Sequence, residues 1–227
     1  MMVERPPSAL RPGRYGESIK GPIHRPRVYP TAPPRCASGY HPTVTTLTLD
    51  PARSQVRIRT FAEGLFARLA HDLELVCRDI AGSAERSDAA GDTARLEIPI
   101  SKIDVAGALR SGRLDPDGLS ANDRADCLGK MRSDVFHAHA GASDVVRVEG
   151  TLERGKARVR VATPNGRMLS RSIDVRVEPE GNEVRVRGRA DLSLEALGSD
   201  AVRGPMNAFR VKDTIEVLFD LVFVEDR

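Results

Sequence analysis

The residues with the most chemistry to offer are the histidines. Phe136-His137-Ala138-His139 puts two imidazoles on one side of an extended segment, because alternate residues of an extended chain point the same way. With His71 they would complete a three-histidine zinc site of catalytic type, its fourth position open to water. The segment runs on through Ala140-Gly141-Ala142, and no acidic residue is spaced to orient a ligating imidazole. A metal-binding protein or metalloenzyme using His71, His137 and His139 is therefore an alternative, not the first expectation.

The thiols add little. Cys36, Cys77 and Cys127 are odd in number, widely spaced and contain no CxxC, which argues against a disulfide framework or a Cys-based zinc site and favours a reducing compartment. Cys77 shares a strand face with His71, but six residues at about 3.3 Å each put them roughly 20 Å apart, so they make no nucleophile–base pair. Cys127 has Arg124 and Lys130 nearby, although a buried inert thiol is the simpler reading. Asp115-Pro116-Asp117-Gly118 opens like a calcium loop, but the acidic ligands that should follow do not. There is no phosphate-binding loop and no dinucleotide fingerprint, and no cofactor is expected.

The elements that must position these residues are mostly strands. Hydrophobic residues make up 40% of the 227, yet aromatics only 4% with no Trp, so the core is Val, Leu, Ile and Ala, types that suit a pleated sheet. Residues 1–43 stand apart. They hold nine of the fifteen prolines and a charge balance of +5, against −2 for the remainder. Without an apolar period this segment cannot offset its ordering entropy, and a disordered basic arm is expected. The folded part is near neutral, so a nucleic-acid partner is not expected. No run of 18 apolar residues exists to form a transmembrane helix. The N-terminus lacks the apolar core of a secretory signal, which points to the cytoplasm.

Phe66 to Cys77 is the central stretch, with His71, Leu73, Leu75 and Cys77 expected on one strand face and Asp72 and Glu74 on the other. Val56 and Ile58 alternate with Arg57 and Arg59, and Leu96, Ile98 and Ile100 mark a strand that Pro99 makes irregular. Ser120 and Asp123 form a capping box for the one convincing helix, with Ala121, Ala125, Leu128, Met131 and Val135 as its apolar stripe. Further strands carry Val146/Val148/Leu152, Ala157/Val159/Val161, Ile173/Val175/Val177 and Val184/Val186, with Gly150 and Gly188 read as bends or close approaches. Pro164-Asn165-Gly166 and Glu180-Gly181-Asn182 supply hairpin turns. The last strand puts Ile215, Val217, Phe219, Leu221 and Phe223 on one face. Its pairing with the strand near Val44–Leu49 would close a barrel and remove the exposed edges. The expected fold is mainly β: an antiparallel lipocalin-like β-barrel with one covering α-helix.

Several motifs recur in a telling order: the turn Asp50-Pro51-Ala52-Arg53-Ser54 before Val56-Arg57-Ile58; His71, a strand and Gly82; the helix from Asp123-Arg124 to Lys130-Met131-Arg132-Ser133-Asp134-Val135-Phe136; and Val148-Glu149-Gly150-Thr151-Leu152. In that order, over residues 44–227, the chain resembles the YceI-like family of extended lipocalin-like barrels. The resemblance implies non-enzymatic binding or carriage of an isoprenoid or other long-chain lipid. It also implies a periplasmic location if translation starts elsewhere. The family commonly has a His two residues after Arg-Asp in the helix; Asp123-Arg124-Ala125-Asp126 carries none.

An eight-stranded barrel is just wide enough to be filled by side chains or to hold one small ligand. The candidate lining residues are Val56, Ile58, Leu73, Leu75, Leu96, Ile98, Met131, Phe209, Phe219 and Leu221, with His71 to orient a polar end. A structural or stress-related interaction module with a filled core is the other alternative, and a homodimer is left open.

Overall fold

The computed structural model describes residues 43–64, 71–87, 91–138, 144–204 and 208–226. The basic arm and His139 therefore lie outside the described residues. The alternating stretches form strands β1 (Val44–Leu49), β2 (Gln55–Thr60), β3 (Ala62–Glu63), β4 (Asp72–Cys77), β5 (Ala81–Ser87), β6 (Asp92–Pro99), β7 (Ile103–Arg110) and β8 (Arg113–Asp115). Helix α1 (Ala121–Lys130) follows, then β9 (Val145–Glu153), β10 (Lys156–Ala162), β11 (Met168–Glu180), β12 (Glu183–Ser193), β13 (Arg210–Val211) and β14 (Thr214–Glu225).

Eight antiparallel strands close a barrel in the order β1-β5-β6-β9-β10-β11-β12-β14, with β14 returning to β1 through Leu49 and Phe223. First and last strands thus meet, as the alternation of β14 led us to expect. Along β12 the pairing with β14 runs unbroken from Glu183↔Val224 to Ser193↔Thr214. On its other edge β14 changes partner. Residues Glu216–Asp220 pair with β2, and only from Phe223 onward does β1 take over. The turn at Asp50–Ser54 fills the fork. Val222 donates its N–H to Ser54 Oγ at 2.9 Å and accepts Asp50 N–H at its carbonyl, so neither group is left bare where the ladder lapses. Asp50 Oδ1 in turn accepts Ala52 N–H, and Arg53 bridges Asp50 to Glu183 with contacts of 2.6–2.8 Å.

From β2 the sheet continues outward as a wing, β2-β4-β7-β8. The space under β4 and β7 is packed, and Ile103 and Phe136 separate it from the space inside the ring. Ile80, Ile100, Ile103 and Cys77 are fully buried in a cluster with Leu75, Val105 and Phe136, and Leu128, Met131 and Val135 close it from the helix side. The capping box forms as expected, with Ser120 Oγ accepting Asp123 N–H and Asp123 Oδ2 accepting Ser120 N–H. The helix then loosens into a π turn over Met131–Val135. Its packed face differs from the expected stripe: Ala121 and Ala125 are exposed, while Arg124, Cys127 and Leu128 face inward. Arg124 sets this rotation by donating to the carbonyls of Val105 and Pro116.

Candidate functional site

Each ring strand turns alternate side chains inward, so the size of those side chains decides whether the barrel is filled. Most are Val, Leu, Ile or Phe. One register row differs. Leu47, Ala84, Ala94, Gly150, Val159 and Arg171 are successive cross-strand partners around the wall, and three of the six are Ala or Gly. Gly188 and Ala190 on β12 are small as well, and the Phe219 ring lies over Gly188, where a Cβ would stand 2.3 Å from Cζ. The result is an internal cavity of about 250 Å³.

Its wall is almost wholly apolar. At one end, where the turns joining β9 to β10 and β11 to β12 lie, the polar lining comprises Glu85, Thr93, Thr151 and the pair Arg86–Asp92, whose nearest charged atoms are 4.0 Å apart. The opposite end is closed by Phe136 and Leu197. Asn165 Nδ2 donates to the Leu197 carbonyl at 3.2 Å while Asn165 Oδ1 accepts the Thr163 hydroxyl at 2.5 Å, which holds that floor in place. No His or Cys lines the cavity among the described residues.

The sequence-derived candidates divide by position in the sheet. Val56, Ile58, Leu96, Ile98, Phe219 and Leu221 line the cavity. Leu75 belongs to the packed core of the wing, and Leu73, half-buried, pairs with Thr60 and Ala108 there. Met131 packs on the same core from the π turn. Phe209 lies before β13, against Gly204. His71 is exposed, because β4 begins only at Asp72, whose carboxylate accepts the N–H of Ala62. β4 stands two strands out from β14 on the wing, and none of its residues lines the lumen; Leu75 and Cys77 on its inner face meet packed side chains.

His137 takes a left-handed backbone (φ 49°) and sets Nε2 3.1 Å from the Gly198 carbonyl and 3.9 Å from Asp200 Oδ2. Among the described residues no three His, Cys, Asp or Glu side chains are grouped to hold a metal ion. Burial pushes the Cys77 thiol pKa up, and burial among nearby carboxylates does the same for Cys127.

The outer face carries the charge. Glu74 and Glu216, both buried, are held by Arg59 at 2.7 and 3.4 Å, and Arg189 reaches Glu216 at 2.6 Å. Further along, Asp220 accepts two 2.6 Å hydrogen bonds from Arg185, which hold its carboxyl below the usual range. The sequence reading missed two features. The row of small residues shows only once the register is known, and Arg171 lies ahead of the Ile173/Val175/Val177 alternation, in a strand that begins at Met168. The alternation Leu169-Arg171-Ile173 was the available signal for the second.

No family model matches the chain, and no curated protein matches it. Solved structures do. BcnA of Burkholderia cenocepacia is similar over 77% of this chain and 98% of its own, at 14% identity and a TM-score of 0.53. A polyisoprenoid-binding domain of Saccharophagus degradans, implicated in plant cell wall breakdown, is similar over 81% of this chain and 100% of its own, at 12% identity and the same TM-score. At such identities the shared property is the fold. No helix among the described residues is long and apolar enough to cross a membrane.

Proposed function

We propose that this chain binds one apolar, long-chain molecule of isoprenoid or other lipid type inside the barrel, as a carrier or sensor and not as an enzyme. The observation that carries this reading is the row Ala84-Ala94-Gly150, which leaves a cavity in a ring built mostly of large side chains. Each methylene moved from water into such a lumen contributes about 0.8 kcal/mol, so a chain of modest length binds without strong polar contacts. Val56, Ile58, Leu96, Ile98, Phe219 and Leu221 supply the contact surface. The similar fold of a polyisoprenoid-binding domain supports the same ligand class. The outer arginines are interleaved with acids, which argues against nucleic acid.

The test is a titration with a polyene-labelled lipid whose fluorescence rises out of water, followed by displacement with geranylgeraniol and hexadecanol. Saturation at one probe per chain, with displacement by the prenyl alcohol, is expected. A probe that never saturates, or that neither alcohol displaces, overturns the reading.

A further inference from the structure

The barrel wall is not continuous. β11 is a long strand that pairs with β10 through Met168–Asp174 and with β12 only from Val175 onward, where Val175 faces Gly188. Beyond that point the two strands part. Residues 168–174 of β11 and 189–193 of β12 face each other without pairing, and between them lies a slot lined by the charged Arg171, Asp174, Arg189 and Asp191 and by Ile173, Ala190 and Leu192 among others. Arg171, Ile173, Ala190 and Leu192 also line the lumen, so the slot adjoins the lumen along this stretch of wall.

Arg171 is the unusual member. It alternates with Leu169, Ile173 and Val175, so its side chain starts from the inward face, and it ends the same row of small residues that opens the lumen. A guanidinium cannot remain in an apolar lumen, and the gap beside it lets the head reach water. There it has no ion-pair or hydrogen-bond partner among the described residues, although its neighbours do. Asp174 is matched by Lys156 at 3.1 Å, and Asp191 and Glu216 by Arg189 at 3.8 and 2.6 Å. Val175 donates its N–H to Gly155 on the β10 side, so strand alternation turns the N–H groups of Ser172 and Asp174 towards the slot. A fork of guanidinium donors without an acidic partner, at a polar slot beside an apolar lumen, suits a planar or tetrahedral anion.

We infer that the slot between β11 and β12 is the head-group site, in which Arg171 binds the phosphate or carboxylate of an amphiphile whose chain occupies the lumen. The inference rests on the lumen reading above and adds the class of head group and the side of the barrel from which it projects.

The test uses three molecules with one tail, namely hexadecyl phosphate, palmitate and hexadecanol, together with inorganic phosphate alone. Each displaces the polyene probe from the full chain, from Arg171→Gln, from Arg171→Lys and from the outer-face control Arg95→Gln. The wild type and the control should prefer the two anions over the alcohol by about tenfold or more. Arg171→Gln should remove that preference while leaving hexadecanol unchanged, and Arg171→Lys should restore part of it. The stronger of the two anions identifies the head as phosphate or carboxylate. Equal binding of alcohol and anions by the wild type overturns the inference and spares the lumen reading. So does a preference that survives Arg171→Gln, a loss shared by the control, or inorganic phosphate displacing the probe as well as hexadecyl phosphate does. Failure of all three tailed molecules to bind overturns both.

Discussion

Replacing Gly150 by leucine should fill a large part of the hollow lumen. Gly150 sits in the wall between Ala94 and Val159, its backbone is ordinary extended strand, and a Cβ added there meets nothing nearer than 4.0 Å. An empty 250 Å³ cavity, at about 24 cal/mol per Å³, costs about 6 kcal/mol relative to a packed core. That is comparable to the whole net stability of many domains, about 5–15 kcal/mol. Four added carbons at about 0.8 kcal/mol each recover up to about 3 kcal/mol, and relief of glycine in a strand interior adds a few tenths more. Rotamer loss and imperfect fit reduce this, so the unliganded variant should be about 1–3 kcal/mol more stable than the wild type. The same four carbons are lost to a bound chain, which weakens its affinity by about 3 kcal/mol, or roughly a hundredfold. Urea unfolding without lipid gives the first quantity, and the polyene titration gives the second. A variant that binds the probe as the wild type does refutes the reasoning. So does one that unfolds at lower urea, because leucine would then be meeting a wall and not a space.

Gly107→Ala should behave in the opposite way, losing about 1–3 kcal/mol in urea unfolding, because its Cβ would stand 2.4 Å from the Asp115 carbonyl oxygen and 2.9 Å from Pro116 Cα, both backbone atoms. Ser120→Ala removes the side-chain half of the capping box and should cost about 1 kcal/mol by the same measurement. Arg53 holds Asp50 and Glu183, and Arg185 holds Asp220, below their ordinary values of 3.8, 4.5 and 3.8. The folded-state values are depressed, so this stabilisation is complete above the ordinary values and disappears as pH falls through the lower folded ones. Unfolding midpoints should therefore hold steady down to roughly pH 5 and fall below about pH 4, with a shallower fall in Asp220→Asn. The buried Cys77 thiol, its pKa raised, should react with an aromatic disulfide reagent only as the protein unfolds, which a reaction time course in rising urea will show.

The strands were legible because their alternation is strong. Ile215 to Phe223 reads directly as an inward face, and closure onto Val44–Leu49 follows from the need to cover two edges. What alternation cannot convey is which sheet neighbour a face meets. The stretch Leu73-Glu74-Leu75 has the pattern of a lumen strand, yet β4 lies on the wing and its residues pack into the buried cluster without reaching the lumen. The branch is made by the partner change of β14 at the Ser54–Val222 fork, a contact between residues 168 positions apart. His71 was misplaced for a local reason: the strand starts one residue later, and parity says nothing about where a strand ends. From sequence Gly150 reads as a bend or a close approach, because glycine in a strand interior often marks one or the other. Its role as missing volume appears only when Ala94 and Val159 are known to flank it. Gly188, read the same way, does mark a close approach, that of Phe219.

The most direct test of a hollow, chain-binding barrel is native mass spectrometry of the wild type and Gly150→Leu, each purified after incubation with excess geranylgeraniol and hexadecyl phosphate. The wild type should carry a single added mass equal to one of these molecules per chain, and the leucine variant should appear at its bare mass. A wild type that stays bare contradicts the account, as does a variant that carries the same load.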